Sequence, residues 1–100
     1  DVYKRQPVNR FTLSVLAANH PLYVGECLSL VVPTPQGRYG ILAHHSNMLA
    51  AVVPGRLEFT LPDGSKRTAV VSKGIIKIES NEVLLLVDAV EASETQETPQ

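Results

Sequence analysis

The residues of this chain that could do chemistry are few, and the three histidines are the first candidates. They are His20, His44 and His45. Neighbouring residues of an extended chain point to opposite sides, so His44 and His45 do not readily bind one ion from a strand. The sequence contains no His-x-His and no Glu-x-x-His pair, whereas zinc needs three or four converging ligands. The sequence therefore predicts no metal site.

A nucleophile or a phosphate-binding loop is not supported either. The elbow Gly-x-Ser-x-Gly is absent, and Ser72 precedes Lys73-Gly74, which is typical of a turn. The segment Gly37-Arg38-Tyr39-Gly40 lacks the Lys-Ser/Thr pair of a phosphate-binding loop. The single cysteine, Cys27, lies in an apolar run, which favours a small buried residue. We expect no catalytic residue and no bound cofactor.

Composition and charge narrow the class of protein further. The chain has 100 residues, of which 44% are hydrophobic and 19% charged, as in an ordinary single globular domain. Its net charge of -1 gives no electrostatic reason to bind nucleic acid or anionic lipid. No segment reaches the roughly 18 apolar residues of a spanning helix. We therefore expect one soluble domain with no nucleic-acid partner and no direct membrane insertion.

The elements that would position any site are predicted to be strands. Turn residues Pro62-Asp63-Gly64-Ser65 separate the alternating segment 56–61 from the segment 66–71, and Ser80-Asn81 separates 75–79 from 83–87. Both patterns predict β-hairpins. No window shows a capped helical stripe. Many short strands with a turn about every 8–12 residues favour an all-β sandwich or barrel.

The two ends of the chain differ from its middle. Residues 1–10 lack the apolar core of a signal peptide, and we set them apart as a leader that is a candidate non-native remnant. Residues 11–91 form the predicted domain. Residues 92–100 are acidic and contain no large apolar side chain, so we expect a disordered tail.

Some predicted strands are apolar on both of their faces. They are the segments Val83–Val87, Ala69–Val71 and Leu30–Val32. A solvated antiparallel strand should be apolar on one face only. Either tails and loops cover the second face, or that face docks onto a partner, and we favour the partner.

Seven short segments occur in an order and spacing typical of one family. They are Phe11–Leu16, Leu22–Gly25, Gly37–Leu42, His45, Pro54-Gly55, Val71–Gly74 and Asn81–Glu91. Together, residues 11 to about 91 resemble the N-terminal domain of the epsilon subunit of F-type ATP synthases. The resemblance implies a β-sandwich of about ten short strands.

The resemblance also implies a mechanical function with no catalysis. In that family the domain is part of the rotor, where it couples the gamma subunit to the ring of membrane-embedded c subunits during proton-driven ATP synthesis. The expected location is peripheral, at the cytoplasmic face of the bacterial cell membrane. The residues that the resemblance assigns to the ring are Arg38 and Tyr39, and those that it assigns to gamma are His45, Leu49, Ala50 and Ala17.

The sequence departs from the family pattern at several points. Arg38 stands where many relatives carry an acidic residue in the loop that faces the ring, and Lys73 stands where they carry a glycine. In relatives a helical hairpin of about 40–50 residues follows the domain. Only Ser93 to Gln100 remain here, so we expect neither its inhibitory arm nor its ATP site, whether the chain is truncated or naturally short.

One alternative function is a stand-alone β-sandwich binding module, for example for carbohydrate. Such modules usually present aromatic platforms, and this chain has no Trp, two Phe and three Tyr. An enzyme of the cupin type would need clustered histidines, which the sequence does not offer.

Overall fold

The computed structural model describes residues 9–18 and 21–95, with side chains as far as Val90. Residues 1–8 of the predicted leader and His20 lie outside the described residues. Within them the chain forms ten strands, and no helix there could span a membrane. The strands are β1 (Phe11–Ala17), β2 (Pro21–Cys27), β3 (Ser29–Thr34), β4 (Gly37–Leu42), β5 (Met48–Val52), β6 (Gly55–Thr60), β7 (Lys66–Val71), β8 (Gly74–Glu79), β9 (Glu82–Val87) and β10 (Val90–Thr95).

The ten strands build two five-stranded sheets. Sheet I has the order β2-β1-β9-β8-β5, and sheet II has the order β10-β7-β6-β3-β4. Strands β1 and β9 run parallel, and the other described pairs are antiparallel. The two sheets enclose one apolar core, which confirms the predicted β-sandwich of about ten short strands.

Alternation along each strand divides core residues from surface residues. In β1, for example, Leu13 and Val15 are fully buried, whereas Thr12 is exposed. Burying a side chain of this size contributes about 1.5–3 kcal/mol. The largest fully buried side chains come from both sheets: Phe59, Leu13, Leu30, Ile41, Leu57 and Ile76. The two inner faces therefore form a close-packed interior that resists deformation.

Both predicted hairpins are present. In the β6–β7 turn, Gly64 has a φ of 92°, and Asp63 Oδ1 accepts hydrogen bonds from Ser65 N–H at 2.9 Å and from its hydroxyl at 2.7 Å. In the β8–β9 turn, Ser80 and Asn81 have φ values of 53° and 62°. Two consecutive positive φ values are typical of the tight turn that matches strand twist.

The connections between strands lie at two ends of the sandwich. One end carries the β4–β5 loop (residues 43–47), the β6–β7 turn and the β8–β9 turn; we call it the histidine end. The opposite end carries the connections at residues 35–36, 53–54, 72–73 and 88–89. In sheet I this division follows from the register, because Thr12 lies beside Glu82 and Ala17 beside Val87. Sheet II is aligned with it by two backbone hydrogen bonds, from Leu28 N–H to the Thr60 carbonyl at one end and from Val53 N–H to the Pro33 carbonyl at the other.

The disorder predicted for the tail is wrong for residues 92–95. These residues belong to β10, which pairs with β7 from Val90↔Val71 to Thr95↔Arg67. An edge strand is held by its backbone ladder to one neighbour, so it needs little apolar sequence. Composition alone therefore missed it. Residues 96–100 of the predicted tail lie outside the described residues.

Candidate interaction surfaces

The outer face of sheet I carries a continuous row of apolar side chains. Ala51 lies opposite Ile75, Ile75 opposite Leu86, and Leu86 opposite Leu16. We call these four residues the apolar row. Ile75 is 47% exposed and Leu86 is 39% exposed. Both side chains are therefore partly open to solvent within the described part of the chain.

The surface of sheet I becomes more polar toward the histidine end. In the next row, Leu49 and Val24 lie on the two edge strands and are 69% and 65% exposed. Lys77 and Leu84 lie between them. The last row is rich in carboxylates, because it contains Glu79, Glu82 and Glu26, with Thr12 between the last two. The face thus combines an apolar patch with a polar rim, as protein interfaces usually do.

The outer face of sheet II is polar by comparison. Arg38 Nη2 lies 3.3 Å from Glu58 Oε1, and Arg38 Nη1 donates to the carbonyl of Arg56 at 3.3 Å. Thr68 lies opposite Glu58 on the neighbouring strand. Leu42, on the edge strand β4, is a large apolar side chain of this face and is 64% exposed. The apolar excess of the described surface therefore lies on sheet I.

The structure brings together two residues that the resemblance assigned to different partners. His45 Nε2 lies 2.8 Å from the Tyr39 hydroxyl, and the two rings meet edge-on at 75° with centroids 5.7 Å apart. His45 Nδ1 lies 2.8 Å from the carbonyl oxygen of Ser46. A carbonyl only accepts, so Nδ1 carries the proton, and in the neutral ring Nε2 accepts from Tyr39. Both nitrogens of His45 are thus engaged.

The remaining predicted contact residues occupy different settings. Arg38 was expected in the loop that faces the ring, but it belongs to β4 together with Tyr39, and the two pair with Pro33 and Val32. Only residues 35–36 form the turn, because Gly37 already pairs with Thr34 and begins the strand. The loop placement is therefore wrong, although both side chains are exposed.

The alanines predicted to contact gamma face the interior rather than the outer surface. Ala50 and Ala17 are half-buried and pack against the core. Leu49 lies next to Ala50 in β5 and therefore points to the opposite side, outward. Strand β5 is three strands from β1 in sheet I, which is roughly 14 Å at the usual strand spacing. The predicted gamma residues do not form one compact cluster.

The apolar row itself was only partly visible in the sequence. The doubly apolar segment Val83–Val87 indicated Leu86. Ile75 and Ala51 were not singled out, because they become part of one surface only through the registers of β5, β8 and β9. Cross-strand register is set by tertiary pairing, so a search of single segments could not find the row.

Groups that could support chemistry are scarce in the described residues. No three His, Cys, Asp or Glu side chains converge there as metal ligands would. Cys27 is fully buried, and burial raises the pKa of its thiol to about 11. The thiol therefore stays protonated at neutral pH, and only the thiolate is a strong nucleophile.

Comparison with known sequences gives a consistent family. The model of the family described as ATP synthase, Delta/Epsilon chain, beta-sandwich domain matches residues 10–93. The chain is 32% identical over 88 residues to the ATP synthase epsilon chain of Dichelobacter nodosus, covering 87% of this chain and 62% of that relative. It is 37% identical over 77 residues to the ATP synthase epsilon chain of Neisseria gonorrhoeae, covering 76% and 55%. The chain thus spans less than two thirds of the length of these relatives.

Solved structures show the same fold. A chain of the Euglena gracilis mitochondrial ATP synthase, in a structure of OSCP, F1 and c-ring, matches with a TM-score of 0.77 at 18% identity and covers 92% of this chain and 66% of that one. A chain of the Tetrahymena thermophila mitochondrial ATP synthase, in a structure of central stalk and c-ring, matches with a TM-score of 0.68 at 12% identity and covers 81% and 65%. At these identities the likeness concerns the fold.

The seven segments, the ten-stranded sandwich and the family match all agree, and the resemblance is confirmed. Because the family model covers residues 10–93, the chain belongs to the ATP synthase delta/epsilon chain β-sandwich domain family.

Proposed function

We propose that this chain is a non-catalytic rotor component of an F-type ATP synthase. In this proposal it binds the gamma subunit, contacts the ring of c subunits, and couples the two during proton-driven ATP synthesis. Its relatives are ATP synthase epsilon chains, and the matched structures contain a c-ring. The observation that carries the proposal is the exposed apolar row on the outer face of sheet I.

The gamma subunit is the proposed occupant of that face. Removing apolar surface from water contributes about 25 cal/mol per Å². Ile75 and Leu86 offer such surface side by side, and Leu49 adds to it in the next row. His45 lies in the loop that leads into β5, the strand that carries Leu49. We retain Ala50 and Ala17 as proposed gamma contacts that contribute less to binding, because both side chains are half-buried against the core.

The c-ring is the proposed partner of Arg38 and Tyr39. Arg38 is the second residue of β4 and lies close to the turn at residues 35–36, at the end of the sandwich opposite the β4–β5 loop. Its charge is balanced by Glu58, so contact with the ring would use the whole ion pair rather than an isolated cation. Transmission between the two contacts requires stiffness, which the close-packed core supplies. The chain would then lie peripherally at the cytoplasmic face of the membrane.

The carbohydrate-binding alternative gains no support from the aromatic residues. Phe11 and Phe59 are buried, and Tyr23 packs on Phe59 with ring centroids 5.0 Å apart. Among the aromatic residues that the structure describes, only Tyr39 is exposed, and it is paired with His45. These rings form no flat platform.

A binding measurement with purified gamma subunit tests the proposal. We expect the chain to bind gamma without nucleotide. Leu49→Glu should weaken binding at least about tenfold, because it removes an apolar contact and brings a carboxylate into the interface. Leu42→Glu is the matched control, since Leu42 is 64% exposed, lies on an edge strand and belongs to sheet II. Absence of a complex, or equal weakening by both variants, would contradict gamma docking on sheet I.

A further inference from the structure

Three segments of the histidine end are joined through one side chain. Asn81 Oδ1 accepts a hydrogen bond from the backbone N–H of His44 at 2.6 Å, and Asn81 Nδ2 donates to the carbonyl of Arg10 at 3.0 Å. The backbone carbonyl of Asn81 accepts from Thr12 N–H at 3.3 Å. The β8–β9 turn therefore holds both the β4–β5 loop and the start of β1.

A second hydrogen bond joins the same two segments in the other direction. Ser80 N–H donates to the side-chain Oδ1 of Asn47 at 3.2 Å. The β4–β5 loop is thus attached to the β8–β9 turn near both of its ends, through His44 and through Asn47. His45, which we propose as a contact of gamma, lies between these two residues of the loop.

Backbone strain is concentrated at this junction. Among the described residues, the non-glycine residues with positive φ are His44 at 64°, Ser80 at 53° and Asn81 at 62°. Such conformations persist where the surrounding structure holds them. The hydrogen bond from His44 N–H to Asn81 stabilises the positive φ of His44. It therefore acts on the residue directly before His45.

We propose that Asn81 is a positioning residue for the gamma-binding surface. It fixes the backbone of the β4–β5 loop, which carries His45 and leads into β5, the strand of Leu49. Tyr39 orients the imidazole of His45 through the 2.8 Å contact between its hydroxyl and Nε2, and Asn81 fixes the backbone that carries this imidazole. This inference rests on the proposed docking of gamma.

The junction requires the chemistry of asparagine. Its short side chain offers one acceptor and one pair of donors, and asparagine tolerates positive φ better than most residues. Aspartate keeps the acceptor for His44 N–H, but it places a second acceptor against the carbonyl of Arg10. Glycine keeps the backbone conformation at little cost and removes both side-chain contacts. Asn81→Gly therefore separates the positioning function from the turn itself.

The experiment compares Asn81→Gly with two other variants of the whole chain. Affinity for purified gamma and exchange of the His44 amide are measured well below every melting temperature. We expect Asn81→Gly to raise the Kd about five- to tenfold, since the loop then spends only part of its time in the binding conformation. Exchange of the His44 amide should become faster in the same variant. Asn81→Asp, which keeps the His44 hydrogen bond, should stay closer to wild type in both measurements.

Asp63→Gly controls for a general loss of stability. It removes the hydrogen bonds to Ser65 in the other hairpin turn of the histidine end, and it leaves the β4–β5 loop untouched. We expect lower stability and an unchanged Kd. If wild type binds gamma and Asn81→Gly binds equally well, or leaves His44 exchange unchanged, the positioning inference alone is overturned. If wild type does not bind gamma, the proposed function is overturned as well.

Discussion

Gly74 is the position at which a single methyl group should damage the fold most. It begins β8 and pairs with Val87 of β9, in the middle of sheet I. A Cβ added at Gly74 would lie 2.7 Å from the Cα of Val87, 2.9 Å from the carbonyl carbon of Leu86, and closer still to the carbonyl oxygen of Leu86. These neighbours are backbone atoms, so no change of side-chain rotamer can relieve the clash.

The size of the effect follows from what must move. Overpacking a rigid site costs about 1–3 kcal/mol, occasionally more. We expect Gly74→Ala to fall at the upper end, about 3 kcal/mol, because β8 must separate from β9 or bend away from it. For a domain of this size that free energy corresponds to a fall in Tm of roughly 12–24 °C. The backbone of Gly74 does not adopt the positive φ that favours glycine, so the cost of adding a methyl group there is steric.

Thermal unfolding followed by circular dichroism measures this effect, and Gly40→Ala provides the matched control. Gly40 lies in edge strand β4, and a Cβ there would meet no atom within 4 Å. Alanine also restricts the unfolded chain, so this variant should be unchanged or more stable by about 0.5 kcal/mol. A Gly74→Ala protein that melts together with Gly40→Ala would refute the steric reasoning.

Two further predictions concern Cys27 and the end of the chain. The folded pKa of Cys27, about 11, lies above the ordinary value of 9.0, so its contribution to stability is complete below pH 9 and is lost as the pH rises through 11. Urea midpoints should therefore fall more between these pH values in wild type than in Cys27→Ala, and an equal fall would contradict the assignment. Deleting residues 92–100 should lower Tm, since it removes most of the ladder between β10 and β7. Deleting residues 96–100 alone is the control, and equal Tm values for the two deletions would count against a stabilising β10.

The parts of the fold that could be predicted are those whose signals are local. The turns at Asp63-Gly64 and Ser80-Asn81 lie between alternating segments, and both hairpins formed where the pattern placed them. Hairpin pairing needs only neighbouring residues, so sequence periodicity and turn chemistry suffice. The sandwich architecture followed from the number of such strands and from the family resemblance.

The parts that could not be predicted depend on contacts between distant segments. Strand β10 has the composition of a solvated tail, and only its pairing with β7 shows it to be a strand. Tyr39 and His45 looked like members of two separate surfaces until the β4–β5 loop was seen to fold back on β4. Asn81 was noted as a turn residue, but its contacts to His44 and Arg10 cross the sandwich end and leave no mark in the local pattern.

The parallel pairing of β1 with β9 determines when the domain can finish folding. Among the described strands β1 is synthesised first, and it lies between β2 and β9, the ninth of them in chain order, with Thr12 beside Glu82. The hairpins β6–β7 and β8–β9 can close early, but β1 waits for β9 with its apolar residues uncovered. Pairings of such long sequence separation fold slowly and leave nascent chains open to aggregation. Completion of sheet I is therefore tied to the synthesis of β9, and chaperones that protect nascent apolar strands would act on β1.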